Sequence, residues 1–404
     1  MVLNFIKNTV LIFVLASSSC GSDMQSTNES TLIPHEVSII IGANQTERYL
    51  PLLNGKKIGI VANQTSVIFN NDNYVHLVDS LKSSGVNIIK VFAPEHGFRG
   101  KADAGEQVID GVDMKTGLPI LSLYGKNKKP SIEQLKGIEM MIFDIQDVGA
   151  RFYTYISSLH YVMEACADNN IPVLILDRPN PNGHYVDGPI LEMEHESFVG
   201  MHPVPVVHGM TIGEYAKMIN GEGWLENGIK CDIIVIPVKN YTHTTAYSLP
   251  IKPSPNLPND KSINLYPSLC FFEGTNVSVG RGTDMQFQVI GSPLLSYYSF
   301  AFTPQPNEGA KYPKHQGKTC SGKNLQNTEH LNELNLDWLI EFYSSHEQLA
   351  PSEPFFNDFF TKLAGTKNLQ EQIENGLAEA EIKASWQEGL NAFKELRKKY
   401  LIYD

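Results

Sequence analysis

The chain reads as an α/β protein, a Rossmann-like and mostly parallel sheet followed by a smaller α+β domain. Three observations predict it. Apolar runs at 56–62, 87–93, 140–145 and 172–177 alternate with segments of helical spacing, the βαβ pattern of a parallel sheet. Each run ends on a polar or ionisable cluster, as strands do where their loops converge at the carboxyl edge. Near residue 240 the pattern changes to proline-rich loops and then to two long polar helices, about 329–346 and 367–398, so the domains are expected at 37–240 and 241–404.

The elements follow in order. Lys7, the apolar stretch Val10–Ala16 and Ser17-Ser-Ser-Cys20 read as a signal peptide over 1–20 with a lipobox-like Cys20, and the stretch is too short to span a membrane. The polar residues 21–36 are a tether, and the mature protein is expected as a periplasmic or cell-surface lipoprotein, touching the membrane only through its anchor. A first strand is expected at 37–41. A second, Lys56–Ala62, ends on Asn63-Gln64, and a helix is expected from Tyr74 to Ser83. The strand 87–93 breaks on Pro94 and Gly97, where Glu95 and His96 appear. Strand Leu118–Tyr124, a short helix opened by Ser131, strand Met140–Ile145, helix Tyr155–Asp168 and strand Pro172–Asp177 come next. Thr211 and Glu214 have the spacing of a capping box, and Cys231–Val238 is the last strand of this domain. The cysteines beyond Cys20 form no Cys-x-x-Cys pair, so neither a zinc site nor a disulfide framework is expected.

Charge and motifs narrow the function. The formal net charge is −12 with no cluster of Lys and Arg, which argues against a nucleic-acid partner. There is no Walker A loop and no Gly-x-Ser-x-Gly elbow, and Gly280-Arg-Gly282 lacks the third glycine of a dinucleotide fingerprint, so no cofactor is expected. What fits is hydrolysis of a neutral or sugar substrate.

A parallel sheet would bring Asn63, Gln64, Glu95, His96, Asp144, Gln146, Asp147, Asp177 and Arg178 to one rim. Two carboxylates are what glycoside hydrolysis needs, one to protonate the leaving oxygen and one to act as nucleophile or stabiliser. Glu95 follows Val91-Phe-Ala-Pro and is the better placed for the acid; Asp144 and Asp147 are its candidate partners, although an Asp before a Val-Gly turn equally caps a following helix. Arg151-Phe-Tyr153 offers a cation beside aromatic faces, suited to a sugar carrying a carboxylate. Glu273, Asn276, Arg281 and Asp284 gather among glycines that let backbone approach a ligand. His160 and Glu164 lie one helical turn apart, without the His-Glu-x-x-His spacing of a metal site.

Longer blocks now point to a family. Pro94–Gly100, Asp103-Ala-Gly-Glu106, Phe143–Tyr155, Leu176–Gly183 and Phe272–Thr283 resemble the exo-β-N-acetylmuramidases of glycoside hydrolase family 171, over roughly residues 40–404. The resemblance implies a cleft between the two domains, a peptidoglycan-derived substrate and release of terminal N-acetylmuramic acid from its non-reducing end. It also implies Glu95 as catalytic acid/base. The lactyl carboxylate of that sugar calls for an arginine, with Arg151 and Arg281 the first choices and Arg99 the next. His96 would orient Glu95 or bind a hydroxyl. The partner of Glu95 is either a second carboxylate or the substrate's own acetamido group, oriented by Asp144 or Asp147. Two rivals are a cell-wall sugar-binding lipoprotein without turnover and a metal-dependent hydrolase using His96, His160 and Asp144.

Overall fold

The computed structural model describes residues 38–70, 73–99 and 110–404. The expected signal peptide, Cys20 and tether lie outside the described residues, as does the block Asp103–Glu106.

Among the described residues nine strands precede the proline-rich loops: β1 (Ile58–Ala62), β2 (Val67–Asn70), β3 (Asn73–His76), β4 (Ile88–Ala93), β5 (Gly111–Val112), β6 (Pro119–Ser122), β7 (Met140–Asp144), β8 (Val173–Leu176) and β9 (Ile233–Ile236). Seven of them form one sheet in the order β5-β6-β4-β1-β7-β8-β9. All neighbours in it are parallel except β5 and β6. Strands β1, β7 and β8 are buried at every position, which is why their sequences are continuous apolar runs and not alternating ones. From β1 the chain moves outward through β4 and β6, then returns to β7 on the other side of β1 and moves outward again. That reversal at β1 opens a crevice at the carboxyl ends of β4, β1 and β7.

Two local readings are corrected. The helix expected from Tyr74 begins only at Leu77, because Tyr74 and Val75 pair with Phe69 and Ile68 in the β2–β3 hairpin, the pairing that aromatic and β-branched residues favour. The His76 ring accepts from the Val78 amide and caps α2 (Leu77–Ser83). The strand expected at 37–41 is a single bridge, Ile40 to Lys239, and α1 (Thr46–Leu53), which the sequence reading leaves out, follows it. Pro51 inside α1 disguises it as a loop.

The other helices of this part are α3 (Ile132–Leu135), α4 (Tyr155–Asp168) and α5 (Ile212–Gly221); Ser131 and Thr211 cap α3 and α5 through complete capping boxes. The second domain opens with α6 (Asp260–Leu269) and carries its own antiparallel sheet, order β10-β12-β11, from β10 (Val289–Ser292), β11 (Phe300–Phe302) and β12 (Cys320–Asn324). The long helix expected at 367–398 is three short ones, Asn368–Glu374, Glu379–Ser385 and Gln387–Arg397; Gly376, at φ 75°, breaks the first turn of chain between them.

One continuous core joins both sheets, and residues Ile39–Asp404 form one compact unit. The chain terminus takes part in it. Tyr403 donates its hydroxyl to Asp177 Oδ2 at 2.6 Å, at the end of β8, and the Ile402 and Tyr403 amides donate to Glu214 Oε1 at 2.8 and 3.2 Å. Cys166, Cys231, Cys270 and Cys320 are free thiols in buried positions.

Candidate active site

Strand β4 delivers Glu95 through a turn that only unusual backbone allows. His96 and Gly97 are both left-handed, at φ 69° and 75°, and the Gly97 amide closes onto the Pro94 carbonyl at 3.0 Å. A histidine held there is strained, which marks the turn as over-determined by its surroundings. The half-buried Glu95 carboxyl accepts from Tyr124 Oη at 2.8 Å and from Thr154 Oγ1 at 2.9 Å. Tyr124 follows β6 and Thr154 is the N-cap residue of α4, so two strand ends and one helix start meet on one carboxyl group. Behind it, Asn63 Nδ2 donates to Tyr155 Oη at 2.9 Å, and that hydroxyl reaches the Glu95 carbonyl at 3.5 Å. Asn63 is thus a brace of the turn.

Glu95, His96, Tyr124, Tyr153 and Thr154 line a cavity of 230 Å³. Its other wall comes from the second domain, with Asn256, Tyr266, Glu273, Arg281 and Phe287. Glu273 accepts from Arg281 Nε at 2.6 Å and Nη2 at 3.0 Å, and the guanidinium lies over the Phe287 ring, 5.1 Å from its centre. Gly280 and Gly282 flank Arg281 at φ 79° each; a Cβ on them would stand 2.7 Å from the Met285 carbonyl oxygen and 2.6 Å from that of Gln305. The Gly-Arg-Gly pattern therefore aims an arginine. The Lys314 ammonium, which the sequence reading does not single out, sits among the carbonyls of Phe272, Thr275 and Val277 at 3.1, 2.5 and 3.1 Å and fixes the turn that carries Glu273. Burial pushes it down to about 8.

Several expected site residues serve elsewhere. Arg151 is fully buried and donates to four carbonyls, those of Pro189, Val204, Leu363 and Ala364, so it ties the two domains and is not a lining residue of the cavity. Asp144 is bound in bidentate fashion by Arg178 at 2.6 and 2.9 Å, beneath the rim. Gln146 donates to the Asp147 and Pro179 carbonyls at 2.8 and 2.7 Å. Asn276 donates to the Pro354 carbonyl at 3.0 Å and lines neither this cavity nor the next. Gln64, Arg99 and Asp284 border a second, adjoining cavity. His160 pairs with His202 at 2.9 Å. Among the described residues the group of three able to share a metal ion is Glu192, Glu194 and His195, and His96, His160 and Asp144 form no such group.

Asp147 lies under the site without lining it. Its Oδ2 accepts from the Gly149 amide at 2.7 Å, closing the turn, and stands 3.8 Å from His208 Nε2, while Oδ1 has no partner among the described residues. Burial pushes the carboxyl up to about 7 and the His208 ring down to about 3. A carboxyl whose folded pKa exceeds its unfolded one binds its proton more tightly in the native state, so its contribution falls as pH rises toward about 7. Urea unfolding of Asp147→Asn and wild type between pH 5 and 8 is expected to show the wild type losing roughly 2–3 kcal/mol more over that window. Parallel curves would mean that Asp147 is ionised in the folded protein throughout.

Tyr124, Thr154, Tyr266 and Phe287 are site residues that the sequence reading gives no role. Thr154 falls inside the Phe143–Tyr155 block; Tyr124 has the look of a plain strand end.

The chain is similar to known proteins over most of its length. The family model described as exo-beta-N-acetylmuramidase NamZ, N-terminal, matches residues 58–261, and its C-terminal counterpart matches residues 264–403. The peptidoglycan beta-N-acetylmuramidase NamZ of Bacillus subtilis (strain 168) is 39% identical over 380 residues, 88% of this chain and 89% of the relative. Two crystal structures of DUF1343 family proteins from Bacteroides fragilis NCTC 9343 share the fold. One is 49% identical with a TM-score of 0.83 and the other 27% identical with a TM-score of 0.77, each match covering 91% of this chain and 99% of its own. With both halves matched by the family models, this chain belongs to the exo-β-N-acetylmuramidase NamZ family.

Proposed function

We propose that this protein is an exo-acting glycoside hydrolase that removes terminal N-acetylmuramic acid from the non-reducing end of peptidoglycan fragments, with Glu95 as general acid. The observation that carries the reading is the small cavity in which Glu95, held by two hydroxyl donors, faces a wall containing Arg281. The two hydrogen bonds fix the carboxyl group in place for proton delivery to a glycosidic oxygen. Tyr153 and Tyr266 supply apolar surface for a sugar ring, and Phe287 backs Arg281.

Arg281 is the cation for the lactyl carboxylate. Glu273 occupies Nε and Nη2, and no hydrogen bond among the described residues occupies Nη1. Glu273 is also the second carboxylate in the cavity lining, in place of the buried Asp144 and Asp147, and is available to orient the substrate's acetamido group.

Incubation with the disaccharide of N-acetylmuramic acid and N-acetylglucosamine tests the whole reading, with the two free sugars as expected products; an intact disaccharide would refute it. Arg281→Ala is expected to raise KM for an N-acetylmuraminide by roughly 10- to 100-fold, the range of a hydrogen bond to a charged group. An unchanged KM would remove Arg281 from substrate binding.

A further inference from the structure

The segment 272–283 carries both charged residues of one cavity wall, Glu273 and Arg281, and the loop 304–317 is fastened along it. At one end the Gln305 amide donates to the Gly282 carbonyl at 2.8 Å. At the other, His315 Nε2 meets the Asn276 carbonyl at 2.6 Å, and the Lys314 ammonium gathers the carbonyls of Phe272, Thr275 and Val277, with that of Glu273 at 3.5 Å. His315 is left-handed at φ 60°, a strained conformation for a histidine that these anchors over-determine. Neither Lys314 nor His315 lines the cavity, so whatever they do to a substrate passes through the residues they hold.

Burying an ammonium is costly, and a neutral amide side chain could close a turn of this size without that cost. Among the described residues the hydrogen-bond partners of Lys314 are carbonyl oxygens, with no carboxylate between them. Those carbonyls flank Glu273 in the chain, Phe272 before it and Thr275 and Val277 after it. Glu273 in turn grips Arg281 through Nε and Nη2. We propose that Lys314 is a positioning residue for substrate binding, whose ammonium, by gathering these carbonyls, sets the place of the Glu273 carboxylate and through it the reach of Arg281 toward the sugar acid. This inference rests on the glycosidase reading above and adds to it a residue that does not touch the substrate.

The same contacts give the proton on Lys314 a role. An ammonium offers three N–H groups to the carbonyls, whereas a neutral amine offers two and turns a lone pair toward them. Burial pushes Lys314 down to about 8, against Glu273, which favours the charged form, and together with Arg281, which opposes it. His315, the next residue, is also pushed down by burial and adds no charge above neutral pH. As pH rises through about 8 the turn should therefore slacken, and KM should rise with it.

Kinetics of the full chain on a chromogenic N-acetylmuraminide test this. Lys314→Met keeps the length of the side chain without its charge and is expected to raise KM about tenfold at neutral pH, with kcat within about twofold of wild type. Between about pH 7 and 9.5 the wild-type KM is expected to rise and that of Lys314→Met to stay level. In an Arg281→Ala background Lys314→Met should add nothing further to KM, because it acts through that guanidinium. The inference is overturned by a wild-type KM that is level over this range, by a rise that persists in Lys314→Met, by a loss confined to kcat, or by additive effects of the two substitutions. The first of these outcomes uses the wild type alone and so decides even where Lys314→Met does not fold. A wild type that leaves the N-acetylmuraminide uncut would overturn the glycosidase reading, and this inference with it.

Discussion

Glu95→Gln is expected to lower turnover of an N-acetylmuraminide by roughly 10²- to 10⁴-fold, the range that a positioned general acid supplies. The amide keeps the shape of the carboxyl; its oxygen still accepts from one of the two hydroxyls that hold Glu95 at 2.8 and 2.9 Å, and its NH2 donates to the oxygen of the other. The turn at His96 and the brace from Asn63 through Tyr155 are untouched, so the fold and the substrate affinity should persist. Kinetics with a chromogenic substrate, together with calorimetric binding of N-acetylmuramic acid, measure the two quantities. Retained turnover would point to a sugar-binding pocket whose acid lies elsewhere. Lost binding along with lost turnover would mean that Glu95 holds the sugar and does not transfer the proton.

The largest effect on stability is expected at Arg178→Met. Arg178 meets both oxygens of Asp144, which is fully buried, and also donates to the Val67 carbonyl at 3.1 Å. Removing the guanidinium strands a carboxylate beneath the sheet rim, at a cost of about 3–5 kcal/mol. The double variant Asp144→Asn with Arg178→Met removes both charges and should regain part of that loss, since a missing pair is cheaper than a broken one. Urea denaturation at neutral pH reads both; a single variant within about 1 kcal/mol of wild type would show that water reaches Asp144 and stabilises it unaided.

How much of this was legible in the chain depends on the range of the interaction. The parallel sheet was readable because burial on both faces writes itself as a continuous apolar run, as in Met140–Phe143. Glu95 was readable because a strand end, a proline and two glycines frame it. The Gly-Arg-Gly loop announced a close backbone approach and delivered a cavity arginine. Arg151 misled for a physical reason: an arginine beside aromatics has the composition of a carboxylate site, yet here its partners are carbonyls from Leu363 and Ala364, more than two hundred residues away. Nothing local encodes such a partner. Asp144 misled likewise, because its arginine arrives on the next strand of the sheet. Tyr124 and Thr154 carry no pattern of their own, and only the folded sheet brings their hydroxyls to one carboxyl group.

The clasp made by Ile402 and Tyr403 has a consequence for cooperativity. Asp177 and Glu214 belong to the first domain, but their hydrogen-bond donors include Tyr403 and Ile402. The carboxylates after β8 and in α5 have their full set of donors only when residues 402–403 are docked on them, so the two parts of the chain are expected to unfold together. Tyr403→Phe, which removes one hydroxyl, should therefore loosen the surroundings of Asp177, far away in the sequence.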